Sequence, residues 1–241
     1  MNLILFEQSE IEHPLPITDE RAQHILNILK LHPGDQLRVG LVNGPKGSAI
    51  FRSQTNTSLS FDFQWDDHEE APPDPITLII GLSRPHTNQK ILQQAAAMGV
   101  KRVLFVRTET GEGSYAASKL SSTGEYKRHL LLGAQQARST RIPVVEYGSP
   151  LWIAMHLVED IPQKIALHNS DTASSFAGLT FDRDHGIVLA IGAERGWSDK
   201  EIALLQRNGF KLARFGDRIL RTETAVVSAL ALTKAAMGAW T

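Results

Sequence analysis

Phe215-Gly216-Asp217-Arg218-Ile219-Leu220-Arg221-Thr222-Glu223-Thr224-Ala225 connects two runs of different character. Before it, the apolar run Phe210–Phe215 reads as a strand. After it, Ala225–Ala239 is rich in Ala, Leu and Val and reads as a helix. A glycine at a strand-to-helix turn lets backbone N–H groups approach a ligand closely. A plain connection needs only a cap, which Thr222 or Thr224 would supply. Here two arginines, a glutamate and two threonines crowd the last turn before the helix. The stretch is therefore either a capped turn with a solvated charge cluster or part of a ligand site.

Two earlier strands end in loops of comparable oddity. Ile187–Ile191 runs into Gly192-Ala193-Glu194-Arg195-Gly196, after which Ser198 and Glu201 form the capping box of a helix that Gly209 ends. Ile165–Leu167 runs into His168-Asn169-Ser170. Further upstream, strands Ile76–Leu82, Val103–Val106 and Val144–Tyr147 alternate with helices Asn88–Met98, Tyr126–Arg138 and Trp152–Val158; residues 111–123, rich in Gly, Ser and Ala, read as a mobile loop. Such alternation predicts a parallel α/β sheet, and in an open parallel sheet ligands sit beyond the carboxyl ends of the strands. All three loops belong on that edge. None matches a G-x-G-x-x-G or phosphate-loop pattern, and no metal-binding spacing occurs. His168 is either a ligand or base, or a hydrogen-bonded structural residue at a strand end.

The front of the chain has a different period. Leu3–Phe6 reads as a strand, and Thr18 precedes a helix with Ala22, Ile25, Leu26 and Leu29 on one face. Leu37, Val39 and Leu41 alternate with polar residues, Asn43–Gly47 reads as a hairpin turn, and Leu59, Phe61, Phe63 and Trp65 form an aromatic stripe. That stripe suits either the core of a small barrel or a platform for stacking bases. Residues 66–75, acidic and proline-rich, read as a linker between a domain at 1–70 and another at 71–241.

Composition narrows the chemistry. The 241 residues include no cysteine, which excludes disulfides, thiolate metal sites and a cysteine nucleophile. No apolar run is long enough for a membrane span, which fits a cytoplasmic protein without membrane partners. The net charge of −1 hides a gradient: residues 84–141 hold ten Lys/Arg against three Asp/Glu, whereas residues 1–83 hold five against twelve. A basic middle is either a solvated face or a surface for a polyanion. Arg84, Lys127, Arg128, Arg138 and Arg141 are its candidate contacts to such a polyanion.

Taken together, FGDRILRTETA, the preceding IGAERGWSDKE and the strand ending in LHNS resemble the RsmE family of 16S ribosomal RNA uridine-N3 methyltransferases, within the SPOUT superfamily. That family carries a closely similar L-G-x-R-I-L-R-T-E-T-A string, preceded by G-P-E-G-G-x-S-x-x-E, and the likeness covers nearly the whole chain. It implies a C-terminal α/β domain with a deep trefoil knot, a rarity that no periodicity would reveal. It also implies a small PUA-like β-barrel domain in front, S-adenosylmethionine as cofactor, 16S RNA of the 30S subunit as partner, and a homodimer. The cofactor residues implied are Leu167, His168, Asn169, Ile191, Gly192, Glu194, Gly196, Phe215, Gly216, Ile219, Leu220 and Thr222. Three departures stand out: Ala193 and Arg195 replace the family's proline and glycine, Ala97 replaces a glutamate, and Gln135 replaces another. They leave room for a non-catalytic RNA-binding protein on a decayed fold, or for a different RNA site.

Methylation at uracil N3 needs loss of a weakly acidic imide proton and a positioned methyl donor, but no covalent enzyme adduct. Cations aimed at the developing imidate would stabilise the transition state. Arg221 and Arg218 are the candidates, with Glu223 either accepting the proton or holding Arg221.

Overall fold

A computed structural model describes residues 3–68 and 70–240. The chain divides into two compact units, residues 1–72 with 134–142, and residues 73–133 with 143–241.

In the first unit, β1 (Ile4–Phe6), β2 (Leu15–Pro16), β3 (Gln36–Leu41), β4 (Lys46–Gln54) and β5 (Ser58–Trp65) form one sheet in the order β1-β3-β4-β5-β2. β1 and β3 run parallel and the other pairs antiparallel. Alternation on β3 puts Leu37 and Val39 inside, where they meet Phe6, Ile25, Phe51 and Leu59. The aromatic stripe belongs to this core: Phe63 lies edge-on to Phe6 at 5.0 Å and stacks on Trp65 at 5.5 Å. The first helix, α1 (Glu20–Gln23), is capped by Asp19 and not by Thr18. The Asp19 carboxylate accepts from the Arg21 backbone N–H at 2.8 Å and also from the Arg21 guanidinium. Directly after α1 the chain widens into a π turn, His24–Ile28, which breaks the 3.6-residue period assumed for Leu26 and Leu29.

Residues 134–142 join this unit through long-range bonds. The Thr140 N–H and hydroxyl both donate to Glu70 Oε2, at 2.7 and 2.9 Å. The Arg141 guanidinium donates to the carbonyls of Asn43 and Glu70.

The second unit holds a wholly parallel seven-stranded sheet. Its strands are β6 (Asp74–Gly81), β7 (Val100–Arg107), β8 (Val144–Pro150), β9 (Gln163–Leu167), β10 (Ser174–Ser175), β11 (Ile187–Ile191) and β12 (Lys211–Arg214). Helices α2 (Pro85–Ala97), α3 (Lys119–Ser122), α4 (Tyr126–Gln136), α5 (Leu151–Leu157), α6 (Asp199–Arg207) and α7 (Thr222–Ala236) connect and cover them. The spatial order is β10-β12-β9-β11-β6-β7-β8. β11, made after β9, lies between β9 and β6 and is buried along its whole length, as its unbroken IVLAI run demands.

Four local features differ from the sequence expectation. β6 starts at Asp74, within the stretch expected to be linker; the buried Asp74 carboxylate is held by Lys234 and Arg183. α2 starts at Pro85, three residues before Asn88. Residues 111–123 carry a 3-10 turn at Gly113–Ala117 and then α3, whose Leu120 is buried. α7 starts at Thr222 with Arg221 in the capping position and no side-chain cap, so neither threonine plays that part.

Candidate active site

Because β12, β9, β11 and β6 are parallel neighbours, their carboxyl ends share one edge of the sheet. Four connections leave that edge: residues 82–84 before α2, 168–173 after β9, 192–198 after β11, and 215–221 before α7. They surround a cavity of about 900 Å³, at the upper end of the range for small-molecule sites. The three loops singled out from sequence thus converge in space.

The β9 connection contributes Leu167, His168 and Asn169 to the lining. Its backbone is fixed by a bond from His168 N–H to the Ala213 carbonyl, 3.0 Å. The β11 connection contributes Ile191, Gly192, Glu194 and Gly196. Here Ala193–Gly196 closes a tight turn, with Gly196 N–H donating to the Ala193 carbonyl at 2.8 Å and Gly196 at φ +70°. A Cβ on Gly192 would lie 2.7 Å from the Gly196 carbonyl carbon, so the turn folds back only over a glycine. Ser198 and Glu201 make the expected capping box of α6.

The β12 connection contributes Phe215, Ile219, Leu220 and Thr222, with Arg218, Arg221 and Glu223. Gly216 stands apart from the lining. Its φ is +75° and a Cβ there would meet nothing within 4 Å. Its glycine is needed for the left-handed backbone that turns the chain. Ile219 is 85% exposed at the cavity rim, whereas Leu220 is half-buried.

Glu223 is tied differently from the expected pairing. Its Oε1 accepts from Lys90 Nζ at 3.2 Å, a bond from the second turn of α2. Its carboxyl is held below the ordinary value first by its own backbone N–H, then by Lys90 and by the charge of Arg221, with partial burial opposing. A carboxylate so stabilised is a weak base, which favours an orienting role. Arg221 is exposed at the N-terminus of the 15-residue α7, where the helix dipole adds positive potential.

Of the five candidate RNA contacts, Arg84 alone lines the cavity. Lys127 and Arg128 are exposed on the first turn of α4. Arg138 is exposed in a left-handed conformation, φ +55°, just beyond the end of α4. Arg141 is engaged by the carbonyls described above, so its guanidinium serves the first unit's fold.

The cavity also contains residues that the sequence pattern did not single out: His86, Thr87, Lys90, Trp197 and Arg214. The first three stand in the opening turns of α2. Pro85, at the first helical position, was the available signal for the true start of α2. Glu194 links this element to the β11 loop, accepting from Arg84 N–H at 3.0 Å. Among the described residues no cluster of His, Asp and Glu is arranged to hold a metal ion, and no helix is long and apolar enough to cross a membrane.

Comparison with known proteins agrees with this architecture. An RNA methyltransferase domain model matches residues 69–234. The ribosomal RNA small subunit methyltransferase E of Treponema pallidum is 34% identical over 248 residues, covering 100% of this chain and 93% of that protein. Ribosomal RNA small subunit methyltransferase E 1 of Borreliella burgdorferi is 27% identical, covering 97% of each. A crystal structure of the Neisseria gonorrhoeae ribosomal RNA small subunit methyltransferase E, bound to S-adenosyl methionine, superposes with a TM-score of 0.80 at 22% identity over 97% of both chains. With a relative of 34% identity along its whole length and a loop-lined cavity at the carboxyl edge of its sheet, the chain belongs to the ribosomal RNA small subunit methyltransferase E family.

Proposed function

We propose that this protein transfers a methyl group from S-adenosylmethionine to N3 of a uridine in 16S ribosomal RNA of the small subunit. The observation that carries the proposal is the convergence of the three strand-end loops and the start of α2 on one cavity. That cavity suits the cofactor. Its volume is ample, Leu167, Ile191 and Leu220 offer an apolar surface for an adenine ring, and the loops offer backbone donors and acceptors around it. Bound there, S-adenosylmethionine supplies an electrophilic methyl group on a sulfonium.

The protein's own part is to orient and to stabilise charge. Arg221, aided by the α7 dipole, stabilises the imidate that forms as N3 loses its proton, and Arg218 adds to that field. Glu223 stays ionised, and its bond to Lys90 fixes the first turn of α7 against α2. We take the second unit, with β11 between β9 and β6, as a knotted α/β domain. We take the five-stranded sheet of the first unit as a PUA-like RNA-binding module, assign the domains to 1–70 and 71–241 with residues 134–142 returning to the first, and place the protein in the cytoplasm as a homodimer.

The test is incubation with 30S subunits from a strain lacking this enzyme, using labelled S-adenosylmethionine, followed by mass mapping of the RNA. One 3-methyluridine per 16S RNA is expected. No transfer, or label on another base, would overturn the assignment.

A further inference from the structure

The cavity is more positive than its cofactor requires. Arg84, Lys90, Arg195, Arg214, Arg218 and Arg221 line it against only Glu194 and Glu223, in a chain whose net charge is −1. S-adenosylmethionine carries a sulfonium, an ammonium and one carboxylate. It is itself a net cation, and an excess of arginine repels it.

Some of these charges are used within the protein. Lys90 bonds Glu223, and Arg214 faces Asp171 and Asp217 at 3.4 and 3.7 Å. Among the described residues, the guanidinium groups of Arg84, Arg195 and Arg218 have no hydrogen-bond or ion-pair partner. All three are exposed, and each comes from a different connection at the cavity mouth. Arg195 is the most firmly based of them. It occupies the third position of the Ala193–Gly196 turn, which the Gly196–Ala193 bond closes and the crowding at Gly192 fixes. Its neighbour Glu194 is tied back to the Arg84 N–H. The turn thus holds one side chain in the protein and presents the other, a planar fork of donors, with nothing to bind.

We propose that Arg195 contacts an RNA phosphate at the mouth of the active site and, with Arg84 and Arg218, seats the backbone flanking the target nucleotide. The inference rests on the RNA-methylation reading above and adds to it a positioning residue from a cofactor loop. A guanidinium matches phosphate in two-point geometry, and such contacts set register without reading sequence.

The test compares wild type, Arg195→Ala, Arg195→Lys and Lys200→Ala for binding to protein-free 16S RNA between about 50 and 200 mM salt. Lys200 is the control, 85% exposed and facing Glu109 at 3.7 Å. S-adenosylmethionine affinity by calorimetry checks that each variant keeps its cavity. Arg195→Ala should flatten the log–log salt slope by about 0.7 to 0.9, losing roughly threefold less affinity across that range. Arg195→Lys should keep most of the slope, Lys200→Ala all of it, and cofactor affinity should not change. A wild-type slope in Arg195→Ala would overturn the proposal. So would weakened cofactor binding with an unchanged slope, which would give Arg195 to the cofactor's carboxylate. Absence of methyl transfer by wild type would instead fail the functional reading and leave the slope comparison intact.

Discussion

Two sets of arginines, one in each unit, are used in opposite ways. In the first, Arg21 donates to Glu10, Asp19 and the Leu5 carbonyl, and Arg141 donates to two more carbonyls. These guanidinium groups are fastened by the fold. At the cavity of the second, Arg84, Arg195 and Arg218 have no partner among the described residues. The contrast separates structural from functional arginine without reference to exposure alone. A guanidinium whose donors are taken up holds backbone together, while a cluster of unpaired ones on a cavity implies an anion from outside.

The contrast can be broken most sharply at Arg221. Arg221→Ala should lower single-turnover methyl transfer by two to three decades, about 3 kcal/mol, with cofactor affinity and thermal stability near wild type. A near-normal rate would mean that Arg221 only shapes the loop. Arg21→Ala should show the reverse. It leaves two carboxylates facing each other without their cation and should cost about 2 kcal/mol of stability, read from urea denaturation. Unchanged stability there would remove Arg21 from the structural set.

A smaller effect concerns acid. The carboxyls of Glu10, Asp19 and Glu70 all lie below their ordinary values. In Glu10 the bond from Arg21 is the main cause. In Asp19 and Glu70 burial pushes upward but is outweighed by bonds from Arg21 and from Thr140 N–H. A depressed carboxyl contributes stability above its unfolded pKa and loses it as pH falls through the lower folded value. The first unit should therefore be equally stable from pH 8 down to about 5 and weaken below about 4. Glu70→Gln should cost about 1 kcal/mol at pH 7, a difference that shrinks as wild-type Glu70 protonates. A constant difference down to pH 2 would contradict this. The smallest effect is expected at Lys90. Its pair with Glu223 is half-exposed, so Lys90→Met should change stability by less than about 1 kcal/mol. It should nevertheless move any acidic limb of the pH–rate profile toward higher pH, because Glu223 loses a cation. An unmoved limb would show that Glu223 does not govern the rate.

What the sequence disclosed depended on range. The unbroken apolar runs at Ile187–Ile191 and Ile76–Leu82 announced buried parallel strands, and Ser198 with Glu201 announced the start of α6, because each signal lies within a few residues. The three loops could be placed on one edge because parallel strands end together. The pairing of Glu223 was not legible, since Lys90 lies 133 positions away. Nor was the structural use of Arg141, which depends on carbonyls 71 and 98 residues distant. Charge counting grouped Arg141 with Arg84, and only the contacts tell them apart.

The place of β11 bears on how the molecule assembles. Until Ile187–Ile191 has been synthesised, β6 and β9 have no common neighbour, and their edges, Ile76–Ile80 and Gln163–Ala166, lack the strand that joins them. The middle of the sheet is thus completed by a segment that pairs with β9 across 24 residues and with β6 across 111. Such distant pairings close slowly and leave edges open to association meanwhile. An enzyme proposed to mature the small subunit would then itself depend on a later strand to protect what was made before it.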